Sequence, residues 1–150
     1  MIFAFSAAAI VSAGATFPCT PTAVWDGDGP VWCAEGPKIR LHGIAAREVR
    51  RASGRVVDAG CKRGHPCGAV PGVAARDRLV ALLGGPRGTL ATGHVRVRAA
   101  TMRCRSYGSG KGGRTAASCV LPGVGDLGCA MVRAGAAVRW RQYGGAGVCK

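Results

Sequence analysis

Short strand-like runs separated by glycine-rich and Asp-Gly turns, a helical segment in mid-chain and eight cysteines predict an α+β fold that is mainly strand. The runs come in the order three strands, helix, two strands, helix. That order suits a five-stranded Greek-key barrel of the OB type with two or three packed helices, stapled by disulfides. The chain has 150 residues, about one domain, and contains no internal repeat. With 48% hydrophobic residues a core can form. Eight aromatic residues against 25 glycines mean that Ala, Val and Leu must build it, between many turns.

The elements follow in order. Residues 1–15 are apolar and uncharged and end in Ala13, Gly14 and Ala15, a small-residue pattern of the kind found at secretory cleavage sites. A removable signal is therefore expected over 1–15, and a single exported domain over 16–150. No segment reaches the roughly 18 uninterrupted apolar residues of a membrane helix, so no stable membrane insertion is expected. Thr22 to Trp25 and Pro30 to Cys33 flank the turn Asp26-Gly27-Asp28-Gly29 and predict a hairpin. Lys38 to Ile44 is a third strand, with Ile39 and Leu41 on one face and Arg40 and His42 on the other. Residues 49–70 have no periodicity and are expected to form a stapled loop.

Pro71 to Leu83 predicts a helix, with Ala75, Leu79, Leu82 and Leu83 on one face. Pro71 suits its first turn, and Gly84, Gly85 and Pro86 stop it. His94 to Ala100 alternates, with Val95, Val97 and Ala99 inward and a basic stripe of Arg96 and Arg98 outward. A flexible turn over 107–113 precedes a strand over 114–121. Asp126 caps a second helix whose face is Leu127, Ala130, Met131 and Ala134, and Gly135 ends it. Residues 136–140 read as extended.

Eight cysteines in an exported chain imply up to four disulfides. Connectivity is open at this level, but sequence proximity favours Cys19 with Cys33, Cys61 with Cys67, Cys104 with Cys119, and Cys129 with Cys149. The competing reading is a zinc site at Cys61, His65 and Cys67, which has three soft ligands and no second Cys-x-x-Cys arm. With the cysteines paired, a catalytic thiol is not expected.

Twenty-one basic residues stand against seven acidic ones, a formal net charge of +14. Such a charge favours an anionic partner, nucleic acid or an anionic envelope polymer. Its coexistence with high apolar content excludes wholesale disorder. The stretch Gly108 to Gly112 lacks P-loop spacing, and no Gly-x-Ser-x-Gly serine motif occurs.

Charged groups fall at three strand ends or turns: Asp26 with Asp28, Arg40 with Glu48, and Arg114 after the glycine-rich turn. Phosphodiester cleavage calls on these residue types. Carboxylate oxygens hold a hard cation, a carboxylate positions a water, and arginine forks match phosphate oxygens. Over about residues 22–143 the chain resembles the staphylococcal-nuclease-like, or thermonuclease, family. The likeness lies in Val24 to Asp28, Ile39 to Ile44, Gly113-Arg114, Asp126-Leu127-Gly128 and Met131 to Ala136. The resemblance implies an OB-fold barrel with packed helices and calcium-assisted cleavage of DNA and RNA. It also implies Asp28 as a calcium ligand, Asp26 as a supporting carboxylate, and the backbone carbonyl of Ala46 facing the ion. Glu48 would be the base or water positioner, Arg40 and Arg114 the phosphate-binding arginines, and Tyr143 a neighbour of the bound nucleotide. Arg96 and Arg98 are expected to guide the nucleic-acid backbone. The protein is expected to be a monomer.

The chain departs from the family where it usually reads Asp, a small residue, Pro, Glu. Here the run is Ala45-Ala46-Arg47-Glu48. Ala45 removes a calcium-ligand carboxylate, and Arg47 adds positive charge nearby, so a weakened or altered cation site is expected. Gly29 stands where the family often has Thr, and Tyr107-Gly108 is separated from Arg114. The leading expectation is a nuclease-like phosphodiesterase, active or weakened. Its rivals are a non-catalytic cationic module that binds nucleic acid or envelope polymers, and a secreted structural domain whose charge serves solubility.

Overall fold

The computed structural model describes residues 9–149, so most of the signal expected over 1–15 lies outside the described residues. Seven strands precede the first helix: β1 (Thr16–Cys19), β2 (Pro21–Val24), β3 (Val31–Cys33), β4 (Lys38–Leu41), β5 (Ile44–Ala45), β6 (Glu48–Ala52) and β7 (Arg55–Gly60). Then come α1 (Gly72–Leu82), β8 (Val95–Arg96), β9 (Met102–Ser109), β10 (Thr115–Leu121), β11 (Gly125–Asp126), α2 (Leu127–Arg133) and β12 (Val138–Arg139). The fold is thus mainly β with two α-helices. Two 3₁₀ turns, Arg141–Tyr143 and Gly145–Gly147, close the described chain.

The main sheet runs in the order β1-β9-β10-β4-β3-β2-β8, with β11 added to β10. All its pairings are antiparallel except β4 with β10, which run parallel and set Arg40 opposite Ala116. The hydrogen-bonded path is open, since β1 and β8 at its two ends do not pair, and no closed barrel forms among the described residues. Two-stranded sheets β5–β12 and β6–β7 flank it. The basic stripe over 94–100 pairs as a strand only at Val95 and Arg96. Its alternation persists, with Val95 and Val97 buried and Arg96 and Arg98 exposed.

Residues expected as a loop over 49–70 begin instead with the β6–β7 hairpin. Ser53 and Gly54 both have positive φ, 50° and 74°, as a two-residue hairpin turn requires. The periodicity is missing because much of the hairpin faces solvent on both sides. The hairpin also supports the first helix: Asp58 Oδ1 accepts the Val73 N–H at 2.8 Å. This caps α1, whose own N-cap, Pro71, has no capping side chain.

The core contains Ile39, Leu41, Ile44, Leu79, Met102 and Leu127, each essentially inaccessible. The aliphatic periodicity of the strands and of α1 therefore corresponds to real inward faces. Gly27 is required by close approach. A Cβ there would come within 2.8 Å of the side-chain carbons of both Ala46 and Ala75. The Asp26–Asp28 turn thus lies flat between β5's exit and α1.

The four disulfides are Cys19–Cys33, Cys61–Cys67, Cys104–Cys119 and Cys129–Cys149, and no free cysteine remains among the described residues. The zinc reading at Cys61, His65 and Cys67 is excluded because the two thiols are consumed in one bond. Residues 11–15 lie along the edge of the sheet. Val11 N–H donates to Thr115 Oγ1 at 3.1 Å, and Ser106 Oγ donates to the Val11 carbonyl at 2.7 Å.

The Cys104–Cys119 bridge closes a span of 15 residues across paired strands. Replacing both cysteines by Ala should lower unfolding free energy by about 3 kcal/mol, read by urea denaturation.

Candidate functional site

The hairpin turn between β2 and β3 delivers two carboxylates into the interior. Asp26 is 3% and Asp28 4% exposed. Asp26 Oδ1 accepts the Asp28 N–H at 3.2 Å, which locks the turn. Asp28 Oδ2 accepts from the Ala46 N–H at 3.0 Å and from Arg40 Nη2 at 3.3 Å. Arg40 projects from β4. Its Nη1 also donates to the carbonyls of Leu41 and Ile44, the latter at 2.7 Å. Its guanidinium carbon lies 5.4 Å from the centre of the Trp140 ring. A single buried arginine therefore joins a carboxylate, the backbone around β5 and an aromatic ring.

The Asp26 carboxyl is pushed well above the ordinary carboxylate range. Burial is the main cause, followed by the negative charges of Asp28 and then Glu48. Three carboxyl groups thus form a chain from Glu48 through Asp26 to Asp28, which ends on Arg40. Glu48 sits at the start of β6, where its backbone carbonyl abuts Gly72 of α1.

Arg40 also lines a cavity of about 470 Å³. Its cationic members are Arg40, Lys62, Arg63, Lys111 and Arg114. Its aromatic members are His42, His65, Tyr107, Trp140 and Tyr143, and no carboxylate among the described residues lines it. Arg114 reaches it because the β9–β10 turn folds back on itself. Arg114 Nε donates to the Lys111 carbonyl at 3.0 Å and Nη2 to the Gly110 carbonyl at 3.3 Å. A Cβ on Gly110 would lie 3.3 Å from Arg40 Cβ, so the turn rests against the stem of Arg40. The parallel register of β4 and β10 places Arg40 and Ala116 side by side, with Arg114 two residues further along the same face.

The aromatic groups form two walls. His42 and Tyr107 stack at 3.8 Å, nearly parallel. Opposite them Trp140 meets His65 at 4.2 Å and Tyr143 edge-on at 4.7 Å. His42 is held below its ordinary pKa by burial and by Arg40. His65 is lowered by burial, Lys62 and Arg40, against a smaller opposing effect of Glu48 and Asp28. At neutral pH both histidines therefore belong to the walls as neutral rings.

Of the residues singled out in the sequence, Asp26, Asp28, Glu48 and Arg40 form one charged chain, while Arg40, Arg114 and Tyr143 share the cavity. Arg96 and Arg98 lie elsewhere. Arg96 is exposed on β8 beside Ala23, and neither lines the cavity. Ala46 donates its N–H to Asp28. Lys62, Arg63 and Trp140 are cavity residues that no sequence motif marks. The only signal for them is the basic, cysteine-closed stretch beside His65.

The donor set does not match a hard divalent cation. Asp28 is engaged by a guanidinium and by the Ala46 N–H, and the position expected to carry the second ligand is Ala45, fully buried. Among the described residues no group of three or more His, Cys, Asp or Glu is disposed to hold a metal.

No family model matches the chain, and no curated protein or solved structure matches it significantly.

Two outcomes follow from this electrostatics. The Arg40 and Asp28 side chains are 11% and 5% exposed, so Arg40→Ala leaves a buried carboxylate without its counter-charge and should cost about 3 kcal/mol or more by thermal or urea unfolding. Asp26 keeps its proton in the native state above 3.8, where the unfolded chain releases it. Wild-type stability should therefore fall as pH rises from 3.8 toward the raised native value. Asp26→Asn keeps the acceptor for Asp28 and cannot ionise. Urea denaturation at several pH values should show this decline flattened in the variant.

Proposed function

We propose that this chain is a nuclease-like phosphodiesterase that binds single-stranded DNA or RNA in the cavity beside Arg40. The observation that carries this is the double membership of Arg40. It ends the carboxyl chain and opens onto a space lined by cations and aromatic rings. Arg114 and the Arg40 guanidinium hold the phosphate, since planar forks match its oxygens and stabilise the charge that develops in the transition state. Glu48, which does not itself line the cavity, takes the proton of the attacking water through one bridging water, while the phosphorus–oxygen bond to the leaving sugar oxygen breaks and that oxygen takes a proton from solvent. The rings of the two walls take unpaired bases, which a duplex would keep stacked. Salt-dependent affinity from the net charge of +14 brings the strand to the site.

The fold reading goes with this one. The open mixed sheet is taken as a divergent OB-type barrel of the thermonuclease kind, exported to an oxidising compartment in which four disulfides persist. No step is routed through calcium, because Asp28 is engaged by Arg40 and Ala45 brings no carboxylate to the site.

A second reading, binding without turnover, is favoured by one feature. The Arg40–Asp28 pair already occupies the guanidinium that the reaction needs. The two readings separate in an assay of the oxidised protein on single-stranded DNA and RNA, with and without added divalent cation. Arg114→Ala is the informative arginine variant, because Arg114 is held only by turn carbonyls. It should weaken strand binding roughly tenfold, the loss of one charge-assisted contact. Glu48→Gln should abolish cleavage and leave binding within about twofold. Binding of wild type without cleavage under every condition selects the module reading, and no binding at low salt removes both.

A further inference from the structure

The cysteine-closed loop over 61–67 lines the cavity but has so far been given no role of its own. Lys62, Arg63 and His65 line the cavity together with Lys111 and Arg114 of the β9–β10 turn. Lys62 and Arg63 are exposed, and neither makes an ion pair among the described residues. Two cations held close together without a counter-charge repel each other, so something must hold the loop in place.

Three contacts do so. The Cys61–Cys67 bond closes the loop. Arg47 Nε donates to the carbonyl of Gly68 at 2.6 Å and pins its far end beside β6. His65 packs on Trp140 at 4.2 Å. Trp140 also carries Arg40, at 5.4 Å. One indole thus touches both Arg40 and the histidine of the loop that bears Lys62 and Arg63. A cavity of about 470 Å³ is large for one phosphate and falls within the range that encloses nucleotide-sized ligands.

We propose that the loop over 61–67 is a second phosphate subsite, which holds the phosphate adjacent to the one at Arg40 and Arg114. The ligand class is then a strand with at least two consecutive phosphates and an aromatic base between them, packed against the Trp140 side. A mononucleotide fills only half of the site. This inference rests on the phosphate-binding reading of the cavity and adds which end of the ligand the loop reads.

The test measures binding of the oxidised full chain in the presence of a chelator. The probes are a fluorescein-labelled short oligothymidylate, read by anisotropy, and thymidine 5′-monophosphate, read by its displacement of that probe. Wild type should prefer the oligonucleotide. Lys62→Gln with Arg63→Gln should narrow the ratio of the two affinities roughly tenfold. The same variant should reduce the slope of log affinity against log salt by about 0.7, the value for one lost phosphate contact on a single strand. The Cys61→Ser, Cys67→Ser pair should narrow the ratio in the same direction, since it frees the loop without removing charge. An unchanged ratio and slope in Lys62→Gln, Arg63→Gln overturns the subsite, while oligonucleotide binding that remains sensitive to Arg114→Ala leaves the wider reading standing. Failure of wild type to bind either probe overturns both.

Discussion

The buried pair of Arg40 and Asp28 is the interaction on which the rest of the site depends. Two charges taken out of water are costly, and only a full set of partners makes the arrangement tenable. Asp28 has the Ala46 N–H as well as the guanidinium, and Arg40 has the carbonyls of Leu41 and Ile44. These contacts tie the β2–β3 turn, β4 and β5 into one unit. They also fix where Arg40 can be, and Arg40 sets the floor of the cavity against Trp140. Burial first, and the neighbouring Asp28 charge second, push the Asp26 carboxyl well above the ordinary carboxylate range.

A core of small aliphatic residues could not hold this much buried polarity unaided. The protein adds constraint at its margins. Cys19–Cys33 ties the end of β1 to β3 across the hairpin that bears Asp26 and Asp28, and Cys104–Cys119 ties β9 to β10 towards the end of their ladder away from Arg114. Cys129–Cys149 returns the tail to α2, so that Gly144 lies against His42 and the 3₁₀ turn presents Tyr143. Cys61–Cys67 closes the basic loop. Each wall of the cavity is therefore held by a covalent bond within one or two elements. Oxidation state and site geometry are coupled in this fold, as befits an oxidising surrounding.

Much of this was legible from local pattern. The Asp-Gly turn, the inward faces of Ile39 and Leu41, the helix ending before Gly84, the Asp126 cap and all four cysteine pairs rest on neighbours close in sequence. Local rules govern such neighbours. What could not be read depends on closure over long distances. The β6–β7 hairpin lacks an alternating face because solvent covers much of it. Trp140 reaches Arg40 only because β12 pairs with β5 and the Trp140 N–H donates to the Gly43 carbonyl. Arg96 and Arg98 carry the charge expected of a nucleic-acid guide, but the sheet order sets them at and just beyond β8, away from Arg114. The alanine at position 45 was visible in the sequence. That a guanidinium meets the Asp28 carboxylate was not.

Joint capture of one phosphate of a single strand by Arg40 and Arg114 is the step from which the proposed chemistry follows. The most direct measurement is a crystal structure of the oxidised protein with a short phosphorothioate oligothymidylate, whose sulfur marks the phosphate positions. One phosphate is expected within hydrogen-bond reach of both guanidinium groups, between the stacked His42–Tyr107 pair and Trp140. Phosphates bound along Arg96 and Arg98, with the cavity empty and Arg40 still wholly engaged by Asp28, would contradict it.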